Sequence, residues 1–288
     1  MLAPEMLAAM ASGCWAVGAL FSASASTEMG AFAFTRWRLF FAMILLWGAA
    51  LYVGRWPELT WESVAWLSVS SWIGILVGDT ALFVCMNRLG PRRSGVLFAT
   101  HALFSALLAW LFLGETLWGM TLMGSGVLVS GVMVAIVWGR RDDETHRWEN
   151  TRGTLWVGVA MGLLAAVGQA VATLMIKPLM STGIDAVSAS AVRATASFTA
   201  HLLLLWAGVG LSKLQNPLSW KNLLNTALSA TVSMVIGMTL ILQALKTGQA
   251  NLVAIFSSIA PVLLLPLLWA VYRRQPAAGA WWGGAMTV

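Results

Sequence analysis

The stretch GDTALFVCMNRLGPRRSGVLFATHALFSALLAW (residues 78–110) has a second, diverged copy in this chain. It realigns on GMTLILQALKTGQANLVAIFSSIAPVLLLPLLW (residues 237–269) with a constant shift of 159 residues, which places Gly78 on Gly237 and Trp110 on Trp269. Both copies are long apolar runs with short polar interruptions. Two copies of one apolar unit, each able to cross a bilayer several times, are typical of membrane transporters.

Composition supports membrane insertion along the whole chain. The mean hydropathy is +0.80, 59% of residues are hydrophobic and only 10% are charged. Apolar runs of about 20 residues have the length that a helix needs to cross about 30 Å of hydrocarbon. The sequence predicts ten such spans, at residues 3–23, 31–53, 62–86, 94–113, 116–138, 154–176, 186–210, 221–245, 249–271 and 277–288.

These spans divide into two halves of five. We expect a first repeat at residues 1–138, a polar linker at 139–153 and a second repeat at 154–288, with the short tenth span apparently truncated. An odd number of spans per repeat reverses the second copy in the membrane. The predicted fold is therefore an all-α polytopic membrane protein with ten transmembrane helices in two inverted five-helix repeats around a central cavity.

The distribution of positive charge predicts the orientation of the chain in the membrane. The net charge is +6, which in a membrane protein reflects loop residues that determine topology, so no nucleic-acid partner is expected. Loops after odd-numbered spans carry 11 Lys or Arg, and loops after even-numbered spans carry three. The positive-inside rule then places the 139–153 linker in the cytoplasm and both termini outside.

Few ionisable groups lie inside the predicted spans, where each costs several kcal/mol unless it has a partner or a function. Asp79 is the only carboxylate well inside a span. Two interpretations remain open. It could bind a substrate ammonium group or a proton, or it could be the structural partner of Arg36, Arg38 or Arg88, which is the favoured interpretation. Arg36 and Arg193 lie early in the second helix of each repeat, where an arginine usually anchors the helix at the interface.

Polar groups cannot face lipid, and transporter sites lie near the midplane between repeats. We therefore expect one central cavity with an aromatic wall at Trp15. His101 is either a packing residue or a group for proton relay or substrate contact. Pro261 and Pro266 each remove a backbone donor within the ninth span and predict a kink or hinge. The predicted substrate-binding residues are Trp15, Asp79, Phe98, His101, Gln169, Ser233, Phe256 and Ser257.

One motif carries a family resemblance. The sequence LFLGET (residues 111–116), followed by Gly124, Gly126 and Gly131, resembles the Gly-Glu signature of the EamA type of the drug/metabolite transporter superfamily. Pro261 matches the proline usual in the ninth helix, whereas Arg274 stands where the second repeat should carry the glutamate. The resemblance implies a basket of helices around a cavity. It also implies cytoplasmic termini, against the charge count.

Within that family the bacterial exporters of amino acids and metabolites, including aromatic amino acids, are the nearest type. The resemblance and the residues together predict a carrier, not an enzyme, that acts as a monomer in the bacterial inner membrane. Its expected partners are a small-molecule substrate and the lipid bilayer, with no cofactor and no metal. The alternatives are a membrane-embedded enzyme or flippase acting on lipid-linked substrates, and a passive pore. Proton-driven members of the superfamily's small branch use a glutamate in the first helix, whereas the first span here holds no acid except Glu5 at its start. The resemblance therefore favours facilitated diffusion over proton coupling.

Overall fold

The computed structural model describes residues 2–114 and 154–272, together with positions 123–124, 127, 130–131, 281–282 and 286. Every regular element in this part of the chain is helical. The first half contains α1 (Pro4–Met29), α2 (Ala31–Val53), a 3₁₀ turn (Trp56–Glu58), α3 (Trp61–Ser71), a first π segment (Trp72–Asp79), α4 (Thr80–Ala99) and α5 (His101–Leu113). The second half contains α6 (Leu155–Ser181), α7 (Ala186–Trp206), a 3₁₀ turn (Gly210–Ser212), α8 (Trp220–Ser229), a second π segment (Ala230–Met238), α9 (Thr239–Thr247), α10 (Ala250–Ser257) and α11 (Ala260–Tyr272).

Six stretches of the described residues are long and apolar enough to cross a membrane. One of them, Trp61–Leu113, covers the third and fourth predicted spans together. α7 is a helix of 21 residues but is not among the six, because Ser, Thr, Arg193 and His201 lower its hydropathy. The linker and most of the fifth and tenth predicted spans lie outside the described residues, so the count of ten remains a prediction.

Several predicted boundaries were wrong. α1 continues to Met29 rather than residue 23, and α6 continues to Ser181 rather than residue 176. The polar stretch between the third and fourth predicted spans is not a loop, because helix continues on both sides of Gly90. Gly90 has φ +83° and ψ 163°, a conformation open to a residue without Cβ, and Pro91 then starts the next helical turn. The chain thereby changes direction at a single residue.

The repeat is visible in local geometry as well as in sequence. Each half has a π segment at the same place, Trp72–Asp79 and Ala230–Met238. Each also has an interruption in the following span, at Thr100 between α4 and α5, and at Ser258 and Ile259 between α10 and α11. Thr100 and Ile259 are related by the repeat shift of 159 residues. π turns and helix breaks leave backbone groups available, and they are frequent at functional sites.

The two halves run in opposite directions. We call end A the end of the bundle where Pro4, at the start of α1, meets Gly248: a Cβ on Gly248 would lie 2.6 Å from the Pro4 Cβ. The last turns of α6 are also at end A, because Lys177 Nζ donates to the Leu245 carbonyl at 2.8 Å. We call end B the opposite end, where the backbone N–H of Gln215 donates to the Met29 carbonyl at 3.2 Å. α1 thus starts at end A, whereas α6 finishes there.

The halves are interlaced through their first helices. α1 packs mainly on the second half, against α8, the second π segment and α9 to α11. α6 packs on the first half, against α3, the first π segment, α4 and α5. α2 and α7 pack on each other. This reciprocal arrangement is that of two units related by a pseudo-two-fold axis.

Candidate functional site

A cavity of about 90 Å³ lies between the two halves. Its walls come from α1, α2, the two π segments, α4, α5, α6, α10 and α11. The half of the interior nearer end A is filled by a large apolar cluster that includes Ala8, Leu67, Ile176 and Leu245. The cavity therefore occupies the middle of the bundle and the half nearer end B, where Met86, Pro91 and Ser94 line it.

Seven of the eight residues that the sequence analysis singled out line this cavity: Trp15, Asp79, Phe98, His101, Gln169, Ser233 and Ser257. The eighth, Phe256, is not among the lining residues. It packs against the apolar cluster at end A, because its neighbour Ser257 takes the cavity-facing position on the short helix α10.

Aromatic rings form one wall of the cavity. Trp15 and Phe98 make an edge-to-face contact with ring centroids 6.2 Å apart, and Phe98 and His101 lie 5.1 Å apart. Trp15 packs closely against Gly237, where an added Cβ would lie 3.0 Å from the indole Nε1. An aromatic wall of this kind offers apolar contact area and a rigid surface to a ligand.

His101 sits at the interruption between α4 and α5. Its side chain is buried, and its Nε2 has no hydrogen-bond partner among the described residues. The break itself is stabilised by Thr100, whose hydroxyl donates to the Leu97 carbonyl at 2.6 Å. A buried imidazole nitrogen without a protein partner is available to a ligand or a water molecule.

Opposite charges meet at the cavity wall. The guanidinium of Arg38 donates to the carboxylate of Asp79, and both residues line the cavity. Arg38 also lies over the ring of Phe83, 4.7 Å from its centroid, and donates to the Met234 sulfur at 3.3 Å. Of the three arginines considered as partners for Asp79, Arg38 is therefore the one that pairs with it.

Two further arginines, Arg36 on α2 and Arg193 on α7, are buried but do not line the cavity. Arg36 donates to the Ser212 carbonyl at 2.8 Å and so ties α2 to the connection before α8. Arg193 is 2% exposed and attracts Asp79 electrostatically. The expectation that Arg193 is an interfacial anchor was wrong, because its side chain turns inward over Gly74. That glycine leaves room for it: a Cβ there would lie 3.4 Å from Arg193 Nη2.

Backbone interruptions bring polar groups to the cavity on its α10–α11 side. The hydroxyl of Ser12 donates to the carbonyl of Ser257 at 3.0 Å. Pro261 lines the cavity just after the interruption, whereas Pro266 lies within α11, where the helix continues to Tyr272. The break expected from the two prolines is therefore at Ser258 and Ile259, and the hinge role of both prolines remains a prediction.

Sequence reasoning missed several lining residues. Arg38 was considered only as a possible partner of Asp79, although arginines two positions apart on a helix point in nearly opposite directions, so only one of Arg36 and Arg38 could reach the cavity. Nothing in the sequence distinguishes serine, methionine and leucine residues that line a cavity from those that pack in the bundle. The missed residues include Ser22, Ser94, Met86, Met234, Met238 and Leu264.

The motif that carried the family resemblance is only partly described. Gly114 ends α5 in a left-handed conformation with φ +67°, as a helix-terminating glycine does. Glu115 and Arg274 lie outside the described residues.

Comparison with known families identifies the protein family to which this chain belongs. The model of the EamA-like transporter family matches twice, over residues 2–137 and 156–288. The chain belongs to the EamA-like transporter family. An EamA domain in each half agrees with the repeated helical architecture, and membership indicates a multi-pass membrane protein of secondary transport rather than an enzyme. A small-molecule substrate and a lipid bilayer are thereby its partners.

Other comparisons are less specific. A solved crystal structure of a protein superposes on the EamA chain with a TM-score of 0.75 at 18% identity, covering 99% of this chain and 93% of that one. Identity at this level supports the fold alone. No curated protein matches the chain, so no individual exporter is singled out, including those of aromatic amino acids.

Proposed function

We propose that this protein is a carrier that exports small amphipathic metabolites, amino acids foremost, across the bacterial inner membrane. The observation that carries the proposal is the meeting of two chemistries in one cavity. Trp15 and Phe98 offer an apolar wall, and Arg38 and Asp79 offer both signs of charge. A free amino acid presents the complementary set, an apolar side chain beside an ammonium group and a carboxylate.

The cavity volume favours solutes at the small end of this class. A buried cavity of about 150 Å³ accommodates a benzene-sized ligand, whereas this one measures about 90 Å³. In this conformation L-alanine suits the cavity better than L-tryptophan. Because the cavity is formed between the two halves of a single chain, we propose the monomer as the transporting unit.

For energy coupling we favour facilitated diffusion. A proton-coupled carrier needs a carboxylate or imidazole that gains and loses a proton during the cycle. Asp79 is already held in an ion pair with Arg38 and would have to leave that pair to take up a proton. His101 has an unpartnered Nε2 within the described part and is the remaining candidate for a proton-linked cycle.

The direct test is uptake into proteoliposomes. Purified protein is reconstituted and offered radiolabelled L-alanine, L-leucine and L-tryptophan in turn, with protein-free liposomes as the control. Saturable uptake of at least one amino acid, inhibited by the unlabelled compound, supports the carrier. Uptake that does not saturate identifies a pore. No uptake, combined with turnover or flipping of a lipid-linked substrate in the same vesicles, replaces the proposal with the enzyme or flippase.

A further inference from the structure

The ion pair at the cavity wall stands out from the other buried charges. Five arginines are buried in the described part of the chain, at positions 36, 38, 92, 93 and 193, and Asp79 is the only buried acid there. Of these six groups, only Arg38 and Asp79 line the cavity. The single buried carboxylate and its partner are thus both placed where a solute can reach them.

A pair in this position discriminates between solutes by charge. A cation that approaches Asp79 must displace Arg38 and leave its guanidinium buried without a partner. An anion that approaches Arg38 leaves Asp79 stranded in the same way. Both outcomes are unfavourable, because a desolvated charge that loses its partner is strongly destabilising. A solute that carries both charges on neighbouring atoms avoids the penalty.

We propose that the Arg38–Asp79 pair opens on substrate binding and re-forms as two ion pairs with one zwitterion. Asp79 accepts hydrogen bonds from the solute ammonium group, and the planar guanidinium of Arg38 donates to the solute carboxylate. This inference rests on the proposed function and specifies its substrate class as α-amino acids with both charges intact. The apolar side chain then lies toward Trp15 and Phe98, which border the same space.

Arg193 is a neighbouring buried cation on α7. Its Nη2 lies beside Gly74 in the first π segment, and the residue does not line the cavity. The solute carboxylate therefore meets Arg38 and not Arg193.

A purely structural pair predicts something different. If Arg38 and Asp79 stay joined throughout transport, the carrier has no reason to prefer a zwitterion over the corresponding amine or acid. The two interpretations are therefore separated by selectivity and not by folding.

The experiment is competition for uptake in proteoliposomes at neutral pH. The labelled solute is whichever of L-alanine, L-leucine and L-tryptophan is transported. Competitors are its analogue without the carboxylate (ethylamine, 3-methylbutylamine or tryptamine) and its analogue without the ammonium group (propionate, 4-methylpentanoate or indole-3-propionate). We expect both analogues to compete about 30-fold more weakly than the unlabelled amino acid, the effect of stranding one desolvated charge. Equal competition by all three compounds overturns the inference.

A paired variant extends the test. Arg38→Met combined with Asp79→Leu removes both charges and replaces them by apolar groups of similar size, a change that buried ion pairs tolerate. In this variant the three competitors should fall within about fivefold of one another, the range left by weak charge contacts. Arg36→Met is the matched control, because Arg36 is buried on the same helix but bonds the Ser212 carbonyl outside the cavity. It should keep the wild-type preference.

The readout also separates this inference from the proposed function. Transport of an amino acid with no preference over its analogues, or a preference that survives in the paired variant, contradicts the zwitterion exchange and leaves the carrier intact. Transport of none of the three amino acids contradicts both. If the paired variant fails to fold, Arg38→Lys serves instead. It keeps the charge but loses the planar fork, so it should weaken competition by the amino acid and leave competition by the amine unchanged.

Discussion

The hydroxyl of Ser12 in α1 donates a hydrogen bond to the carbonyl oxygen of Ser257 at the end of α10, at 3.0 Å and across 245 positions of sequence. The last carbonyls of a helix have no intrahelical donor, and Pro261, four residues further on, brings no N–H group. A side chain from the first half of the protein thus satisfies a backbone group at a helix break in the second half. This bond joins the two halves at the cavity.

Ser12→Ala should destabilise the protein by about 1–3 kcal/mol, because it leaves a buried carbonyl without a donor. The loss should shrink in a Pro261→Ala background, where residue 261 regains its N–H. The measurement is a double-mutant cycle, built from the apparent melting temperatures of the detergent-solubilised single and double variants. Ser68→Ala is the control, since that hydroxyl bonds only Val64 of its own helix. Additive losses in the double variant would refute the compensation.

Gly18→Ala should destabilise the contact between α1 and the second π segment. The added Cβ would lie 1.7 Å from Ser233 Oγ and 3.1 Å from Ser233 Cβ. Overpacking of this kind costs about 1–3 kcal/mol, and Ser233→Ala should recover part of it. The control is Gly48→Ala, at a helical position with nothing within 4 Å of the added atom. Equal thermal stability of the two alanine variants would contradict the close packing.

Trp15→Ala should change the order of preference among L-alanine, L-leucine and L-tryptophan, because it removes an aromatic wall of the cavity. Phe256→Ala removes a comparable ring from the apolar cluster at end A. Because Phe256 is only partly buried, this substitution should lower stability by less than about 3–5 kcal/mol, the loss at a fully buried ring, with the order of preference retained. Transport assays normalised to reconstituted protein, together with melting temperatures, separate the two effects. A selectivity change in Phe256→Ala alone would show that the cavity has been assigned to the wrong side chains.

Asp79→Asn should reduce the yield of folded protein, because it leaves Arg38 buried without its partner at a cost of about 3–5 kcal/mol. Glu62→Gln, at an exposed acid of α3, should leave the yield unchanged.

The wild-type flux should be the same with and without an imposed proton gradient if transport is facilitated diffusion. A variant that folds normally, exchanges substrate down its own gradient and loses only the pH-driven flux would instead identify Asp79 as a proton site.

End B should face the cytoplasm. Arg88, Arg92, Arg93, Lys213 and Lys221 lie toward this end, whereas end A carries Arg55, Lys177 and Lys246. In a chain with both native cysteines replaced, Lys213→Cys should resist a membrane-impermeant maleimide in spheroplasts and Arg55→Cys should react. Such an orientation opens the cavity toward the cytoplasm, where an exporter takes up its substrate. The reverse labelling pattern would favour the orientation that the family resemblance implies.

Much of the helical framework followed from the sequence because hydropathy has a simple physical cause. A span must be apolar over the thickness of the bilayer, and this requirement identified the helical regions in the described part of the chain. Boundaries were less accurate. Helices such as α1 continue past the apolar run to Met29, because Ser26 and Thr27 bond Asn87 and need no water.

Most of the candidate site could be predicted from the sequence for a related reason. A polar or aromatic side chain at the middle of a span has few places to go except the interior, so Asp79, Gln169 and Trp15 could be assigned together. The partner of Asp79 could not be chosen, because Arg36 and Arg38 differ only in the face of α2 that they occupy. The position of Phe256 could not be predicted, because an apolar residue fits equally well at a cavity wall or in a packed cluster.

The interlacing of the first helices has a consequence for biosynthesis. The ribosome delivers α1 to the membrane long before α8 to α11, which are its main packing partners. Until the second half has been inserted, the small residues of α1, such as Gly18, face lipid or the insertion machinery with no protein surface against them. The nascent first half consequently lacks the main packing partners of α1, and the helix bundle is completed only after the last helices have been inserted.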